Sequence, residues 1–304
     1  MTTGCGPNSE SGPDPRWPQI RDVWDFNDPA ASEIAFRDLA AEAGEAGDAT
    51  FQAEALTQVA RTFSLRRDFD QANQVLDEVE AGAGADNPRV RVRVLLERGR
   101  TLNSSGQAAD ALPMFADAFR LASRHNEHFL AGDAAHMAGI AEDLAGEEEW
   151  MRHMVNYLVD HPGTAAKYWL GPMHNNLGWT LFSDEQYDAA IRHFVVSGEA
   201  YETQPDKRME VLIASYSVGR TQRAQGNCAE ALPRQVATFN AIRSEFSMDD
   251  EYVAEEIALC RGALGDARGA REPAALALAK FMADQWVVDN EPERLDALRA
   301  LAGE

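Results

Sequence analysis

Two nearly identical stretches, Ala108-Ala-Asp-Ala-Leu-Pro113 and Cys228-Ala-Glu-Ala-Leu-Pro233, decide the fold of this chain. Their prolines lie 120 residues apart, which corresponds to three units of about forty. Units of this length start near residues 53, 92, 131, 171, 212 and 251, and each contains two successive amphipathic helical patterns. The spacing therefore predicts six helical hairpins.

Small side chains recur at two positions of these units. The eighth position is occupied by Ala60, Gly99, Ala138, Gly178, Gly219 and Ala258. The twentieth is Ala72, Ala111, Ala190, Ala231 and Ala270, with Trp150 in the third unit. Small residues let the axes of packed helices approach closely, so both columns fit two helices of one hairpin. An Ala-rich helical bundle without a repeat is the alternative that composition leaves open.

Glycine and proline mark the helix ends. Gly106, Gly226 and Gly265 stand at the fifteenth position of their units, where a glycine ends a helix by adopting a left-handed conformation. Pro113 and Pro233 are expected in about the first turn of the second helix, where a missing N–H costs little.

The fourth unit carries the clearest family resemblance. Its residues Leu177-Gly178, Leu181, Tyr187, Ala190 and Phe194 resemble the pattern of the tetratricopeptide repeat (TPR) family. Units three and six depart from that pattern, with Trp150 and Ala274 at two of its positions. The resemblance spans residues 53–284 and implies an all-α solenoid, a right-handed superhelix of about six hairpins.

The segments that flank the array are expected to cap it. Residues 17–52 are predicted to hold one capping helix, from Asp28-Pro29 to about Ala46, and residues 285–304 another, opened by Glu291-Pro292. Residues 1–16 are predicted to be a flexible tail, because Gly, Pro, Ser and Thr dominate them.

Charge and cysteine content narrow the classes of function. The chain has 28 Lys+Arg and 50 Asp+Glu, a net charge of -22, which disfavours nucleic acid and anionic membranes as partners. Cys5, Cys228 and Cys260 form no close pair in sequence, an odd number argues against a disulfide framework, and a reducing cytoplasm fits best. Neither an export signal nor an apolar run long enough for a membrane span is recognisable.

The wall of first helices holds the candidate binding residues. The resemblance implies that certain first-helix positions face the groove of the array; these are Arg61, Arg100, Asn103, Asn175, Asn176, Trp179, Tyr216 and Arg220. Arginine presents a planar fork of donors to carboxylates, and Trp and Tyr supply apolar contact, so an acidic or C-terminal peptide segment is the predicted ligand. Alternatively, the arginines pair with Glu54, Glu97 or Glu142 and only solvate this wall.

More specific chemistry is not supported by the residues. The carboxylate clamp of chaperone-binding TPR proteins is not matched, because Gly132 and His136 stand at two of its positions. All seven histidines lie between His125 and His193, but no His-Glu-x-x-His occurs, and neither a metal nor a cofactor is predicted. No catalytic motif is recognisable, so the chain is predicted not to be an enzyme.

The sequence therefore predicts a cytoplasmic interaction scaffold that binds a peptide or helix of a partner protein. A regulatory protein that senses a small ligand or a signal peptide is the alternative, and an architectural role through self-association is a third. Neither the partner nor the oligomeric state follows from these residues.

Overall fold

The computed structural model describes residues 20–304, and every regular element in that range is helical. The predicted tail and Cys5 lie outside the described residues. The α-helices are α1 (Ile20–Val23), α2 (Pro29–Glu45), α3 (Ala49–Leu65), α4 (Phe69–Ala81), α5 (Pro88–Ser104), α6 (Ala108–Arg124), α7 (His128–Ile140), α8 (Leu144–Asp160), α9 (Leu170–Ser183), α10 (Tyr187–Glu202), α11 (Arg208–Ala224), α12 (Cys228–Phe246), α13 (Glu251–Ala263), α14 (Ala267–Phe281), α15 (Gln285–Asn290) and α16 (Pro292–Ala302). A 3-10 helix, Ala165–Trp169, precedes α9.

Six hairpins follow one another, as the repeat predicts. They are α3/α4, α5/α6, α7/α8, α9/α10, α11/α12 and α13/α14. Their first helices begin at the predicted unit starts or up to four residues earlier. The chain divides into two compact units, residues 1–169 and 170–304, each with three of the hairpins. The predicted all-α hairpin fold is confirmed.

Polar caps and left-handed residues set the helix bounds. Asp28 and Asp48 accept hydrogen bonds from the backbone N–H three residues on, at the starts of α2 and α3. Gly106, Gly226 and Gly265 follow the first helices of three hairpins with φ of 87°, 84° and 82°. These are the left-handed conformations that the glycines predict.

The two repeated prolines lie deeper in their helices than expected. Pro113 and Pro233 are the sixth residues of α6 and α12, in the second turn rather than the first. Each removes one intrahelical N–H donor, yet both helices continue for at least eleven further residues.

In the first unit, the core runs from α2 through the hairpins. Phe36 of α2, Leu76 of α4 and Phe115 of α6 are fully buried. The helix α2 packs on α3, which places a helix ahead of the first hairpin.

The second unit is closed by its last helices. Leu295 and Leu298 of α16 are buried in one cluster with Leu278 and Phe281 of α14. The short helix α15 precedes α16, so the C-terminal segment that was expected to hold one helix contains two. None of the helices within residues 20–304 is both long and apolar enough to cross a membrane.

Candidate functional site

A cavity of about 410 Å³ lies in the second unit and brings together three predicted binding residues. Trp179 comes from α9, and Tyr216 and Arg220 come from α11, one helical turn apart. The remaining lining residues are Leu212, Ile213, Ile242, Asp250, Tyr252, Val253 and Arg294. First helices of consecutive hairpins therefore contribute to one wall of the cavity.

Arg220 is held at this wall by weak polar contacts. Its Nη1 donates to Tyr216 Oη at 3.2 Å and to Glu256 Oε1 at 3.3 Å. Its guanidinium carbon lies 5.9 Å from the centroid of the Trp179 ring, within cation–π range. The buried Nε of Arg220 has no hydrogen-bond partner among residues 20–304. The side chain as a whole is 30% exposed, so the outer N–H groups of the Arg220 guanidinium, rather than the buried Nε, are available to a ligand.

Glu256 is satisfied mainly by a different arginine. Arg223 donates to the two Glu256 carboxylate oxygens over 2.5 and 3.0 Å, and the Glu256 side chain is fully buried. The two-point pair fixes Glu256 on α13, and the longer contact from Arg220 adds little to it. Of Arg220 and Arg223, Arg220 therefore has the weaker hydrogen bond to Glu256.

Tyr216 is a neutral group at this site. Burial, more than any other cause, raises the pKa of the Tyr216 phenol to about 12. Its hydroxyl accepts the hydrogen bond from Arg220 while the ring lines the cavity. Tyr216 therefore contributes an apolar face with one polar edge.

Sequence reasoning missed Arg294, which reaches the cavity from α16, outside the repeats. It donates from Nε to Glu255 at 2.6 Å and from Nη1 to Glu291 at 2.7 Å. Its guanidinium carbon lies 4.0 Å from the Phe281 ring centroid. The start signal at Pro292 predicts the helix, but no local pattern indicates that its first turn meets the cavity.

The charges around this cavity do not sum to a positive patch. They are the arginines Arg220, Arg223 and Arg294 and the carboxylates of Asp250, Glu255, Glu256 and Glu291. Three cations face four anions, so the local field does not attract an acidic segment. The apolar and aromatic walls are the more distinctive feature.

In the first unit, Arg100 is committed to ion pairs. Its Nη1 donates to Glu97 at 2.6 Å and its Nη2 to Asp133 at 2.5 Å, and the residue is buried. Burial opposes the charge, yet the carboxylates of Asp133 and Glu97 raise the pKa of Arg100 above its ordinary value. Arg100 therefore follows the alternative expected from the sequence, in which a groove arginine pairs with neighbouring carboxylates instead of a ligand.

Arg61 lies beside this network but is held differently. Its guanidinium carbon is 5.3 Å from the ring centroids of both Trp24 and Phe26. Burial, and then the charge of Arg100, lower the pKa of Arg61 to about 10, so it stays protonated at neutral pH. Within the described part of the chain, no carboxylate forms an ion pair with it.

The predicted asparagines are not brought into the cavity. Asn103 lies on α5, and Asn175 and Asn176 lie on α9, all half-buried. The side chains of Asn103 and Asn175 make no hydrogen bond to any residue between 20 and 304. Their place in a binding site stays a prediction.

The histidines form pairs rather than a metal cluster. His174 Nδ1 lies 3.0 Å from His193 Nδ1, and His128 Nδ1 lies 2.7 Å from Tyr157 Oη. Residues 20–304 contain no group of three or more His, Cys, Asp or Glu side chains placed to hold a metal ion.

Comparisons with known proteins return structures only. Neither a family model nor a curated protein matches the sequence. Among solved structures, NprR in complex with its cognate peptide NprX is 12% identical over 93% of this chain and 81% of its own, with a TM-score of 0.43. A kinesin light chain from Podosopora anserina with nearly identical TPR-like repeats is 15% identical over 76% of this chain and 96% of its own (TM-score 0.37). The apo form of RapI is 11% identical over 93% of both chains (TM-score 0.36).

Two of the hairpins share one packing contact. In two hairpins a glycine of the first helix, Gly99 or Gly178, lies directly against a phenylalanine ring of the second, Phe115 or Phe194. These are the positions that the tetratricopeptide pattern assigns to small and aromatic residues. Six such hairpins follow one another in the described part of the chain, and their internal packing resembles that of tetratricopeptide repeats.

Proposed function

We propose that this protein binds a segment of a partner protein, and that the cavity of the second unit receives a large apolar side chain of that segment. The observation that carries the proposal is the convergence of Trp179, Tyr216 and Arg220 on one cavity. Three first helices contribute to it, together with Arg294 of α16.

The walls of the cavity favour an apolar anchor. Ile213 and Tyr252 are 44% and 43% exposed, so both still have apolar surface to bury. Each square ångström of apolar surface removed from water contributes about 25 cal/mol. A cavity of about 410 Å³ has room for one large side chain with part of its backbone. Leu, Met, Phe or Trp would therefore supply most of the binding energy.

Arg220 supplies the polar recognition. The outer N–H groups of its partly exposed guanidinium suit a backbone carbonyl or a terminal carboxylate next to the anchor. Because four carboxylates surround the three arginines, a ligand with a run of acidic residues is disfavoured. Of the two ligands expected from the sequence, an acidic segment and a C-terminal segment, the C-terminal one is therefore preferred.

A second candidate function is supported by the size of the same cavity. Small-molecule sites usually have volumes of about 300–1,000 Å³, and this one falls in that range. A regulatory protein whose second unit closes on a metabolite or a short signal peptide is therefore the alternative.

We assign binding rather than catalysis to this cavity. Arg294 is ion-paired, and the Tyr216 phenol, whose pKa is raised to about 12, stays protonated at neutral pH and does not accept a proton. Asp250 accepts the backbone N–H of Val253 as the cap of α13. These groups hold the walls in place.

The test is selection from a peptide library with the full chain, followed by affinity measurements on the selected peptides. We expect one large apolar position in them, and roughly tenfold or greater weakening, about 1.4 kcal/mol, for Trp179→Ala and for Arg220→Gln. The matched controls are Trp286→Ala and Arg192→Gln, exposed residues of the same unit that do not line the cavity.

Equal affinity of the cavity variants and the controls would remove the proposal. A parallel thermal-shift screen with metabolites separates the two candidate functions, because a ligand that binds only the folded state raises the melting temperature. A metabolite shift that Trp179→Ala abolishes, with no peptide selected, would favour the alternative.

A further inference from the structure

Two cysteines that are 32 residues apart in sequence meet inside the second unit. Cys228 is the first residue of α12 and is 7% exposed, and Cys260 lies on α13 and is fully buried. Both belong to one small core cluster with Ala231, and both are free thiols. The two residues form no close pair in sequence, and the fold brings them together.

We propose that Cys228 and Cys260 form a reversible intramolecular disulfide when the protein meets a peroxide. The two thiols are in hydrogen-bond contact across consecutive hairpins, with Ala231 and Leu232 packed beside them. The charges of Glu256 and Arg223 also act on the Cys260 thiol. No other side chain of the cluster offers a competing nucleophile.

The reaction proceeds in two balanced steps. The Cys228 thiol releases its proton, and the thiolate attacks one oxygen of hydrogen peroxide; the O–O bond breaks, sulfenic acid forms, and the departing hydroxide takes up that proton to give water. The Cys260 sulfur then attacks the Cys228 sulfur; the S–S bond forms, the S–O bond breaks, and the sulfenic hydroxyl leaves with the proton of the Cys260 thiol as a second water. Two thiols are oxidised and one peroxide is reduced.

The surroundings assign different roles to the two sulfurs. Burial, and then the hydrogen bond to Cys228, raise the pKa of the Cys260 thiol to about 12. Cys260 is therefore protonated at neutral pH and shielded from solvent. Cys228 has the residual exposure that a peroxide needs, so it reacts first and Cys260 resolves it.

The bond would tie together two helices that also shape the cavity. Cys228 starts α12, which contributes Ile242 to the lining, and Cys260 lies on α13, which contributes Tyr252. A disulfide between Cys228 and Cys260 would close the stretch of chain between them into a loop. This loop would restrict the relative motion of the two hairpins. The disulfide therefore restrains one side of the cavity.

The test uses the full chain with Cys5→Ser, which removes the third thiol. Folded protein is treated with hydrogen peroxide, quenched and denatured, and then alkylated before intact mass measurement and peptide mapping. We expect the loss of two hydrogen atoms, a cross-linked Cys228–Cys260 peptide in monomeric protein, loss of both alkylation sites, and full recovery of both with dithiothreitol.

Two variants in the same background keep the test decisive. Cys260→Ala should stop at oxidised Cys228 without a cross-link, and Cys228→Ala should leave Cys260 alkylatable after peroxide treatment. Disulfides only between molecules, oxidation of Cys228 beyond sulfenic acid without a cross-link, or two thiols unchanged by peroxide would each overturn the proposal.

Discussion

The ring of Phe115 occupies the space that a side chain at Gly99 would need. A Cβ atom built at Gly99 would lie 2.5 Å from the Phe115 ring, and one at Gly178 would lie 2.6 Å from the Phe194 ring. Both pairs are separated by sixteen residues, which places the same contact at the same register of two hairpins. The close approach of first and second helices therefore depends on the absence of one carbon atom.

Gly99→Ala should destabilise the first unit. The added carbon overlaps a fully buried ring, and overpacking of this kind costs about 1–3 kcal/mol. Urea unfolding followed by circular dichroism measures the loss. Gly139→Ala is the matched control, because its Cβ would make an ordinary 3.5 Å contact with Glu147, and alanine favours the helix. Equal stability of the two variants would contradict the close approach.

Asp133→Asn should cost about 3–5 kcal/mol at neutral pH, because it leaves the buried Arg100 without one of its two anionic partners. Burial alone would raise the pKa of Asp133, but the charges of Arg100 and Arg61 outweigh it and lower the pKa. A carboxylate of this kind stabilises the fold above the ordinary pKa of an aspartate. That contribution disappears as the pH falls through the lowered pKa of the folded state.

The stability difference between wild type and Asp133→Asn should therefore shrink in strong acid. Chemical unfolding at a series of pH values measures the trend. Asp117→Asn serves as the control, because Asp117 is an exposed partner of Arg120 and should change stability little at any pH. A difference that stays constant down to the acid limit would refute this role for Asp133.

His174 should make the second unit acid-sensitive in a defined window. Burial, and then the charge of His193, lower the pKa of His174 from 6.5 to about 4. Between these values the unfolded chain binds a proton that the folded chain does not, so stability falls as the pH falls. Replacement by His174→Gln should remove up to about 1.4 kcal/mol per pH unit from that slope. Above about pH 8 the variant and the wild type should show the same slope, because His174 is then neutral in both the folded and the unfolded chain.

The cap at Asp28 should stabilise the first long helix. Asp28 Oδ1 accepts the backbone N–H of Ala31 over 2.9 Å, directly before α2. Asp28→Ala should cost about 1 kcal/mol, and Asp28→Asn, which keeps the acceptor, should cost much less. Native-state hydrogen exchange of the α2 amides measures this effect, because a lost cap frays the helix from its start. Equal exchange in both variants would exclude the cap as its origin.

Local signals account for most of the correct predictions about the fold. These signals operate within a few residues or within one hairpin. They are the glycines at helix ends, the helix start at Asp28-Pro29 and the two columns of small residues. Their period is visible because every unit must bury the same face against its neighbours. Trp179, Tyr216 and Arg220 were selected from positions that the family resemblance implies, and they line one cavity; their role in binding stays a prediction.

The predictions about individual arginines were less complete. Arg61, Arg100 and Arg220 share one phase of the repeat, but only Arg100 lies between two buried carboxylates, while Arg61 stacks on Trp24 and Phe26. A repeat phase indicates which side of a helix a residue occupies. It does not indicate which partner from another helix arrives there.

By itself, the sequence determined the number of hairpins, their order and the side of each helix that packs, because helical periodicity and turn chemistry are properties of neighbouring residues. Only the tertiary structure decided that Arg294 joins the cavity, that Cys228 contacts Cys260 and that Arg100 forms buried ion pairs. Each of these contacts joins helices from different hairpins. Such contacts depend on how the hairpins stack, which is set by the combined packing of many side chains and by no single motif.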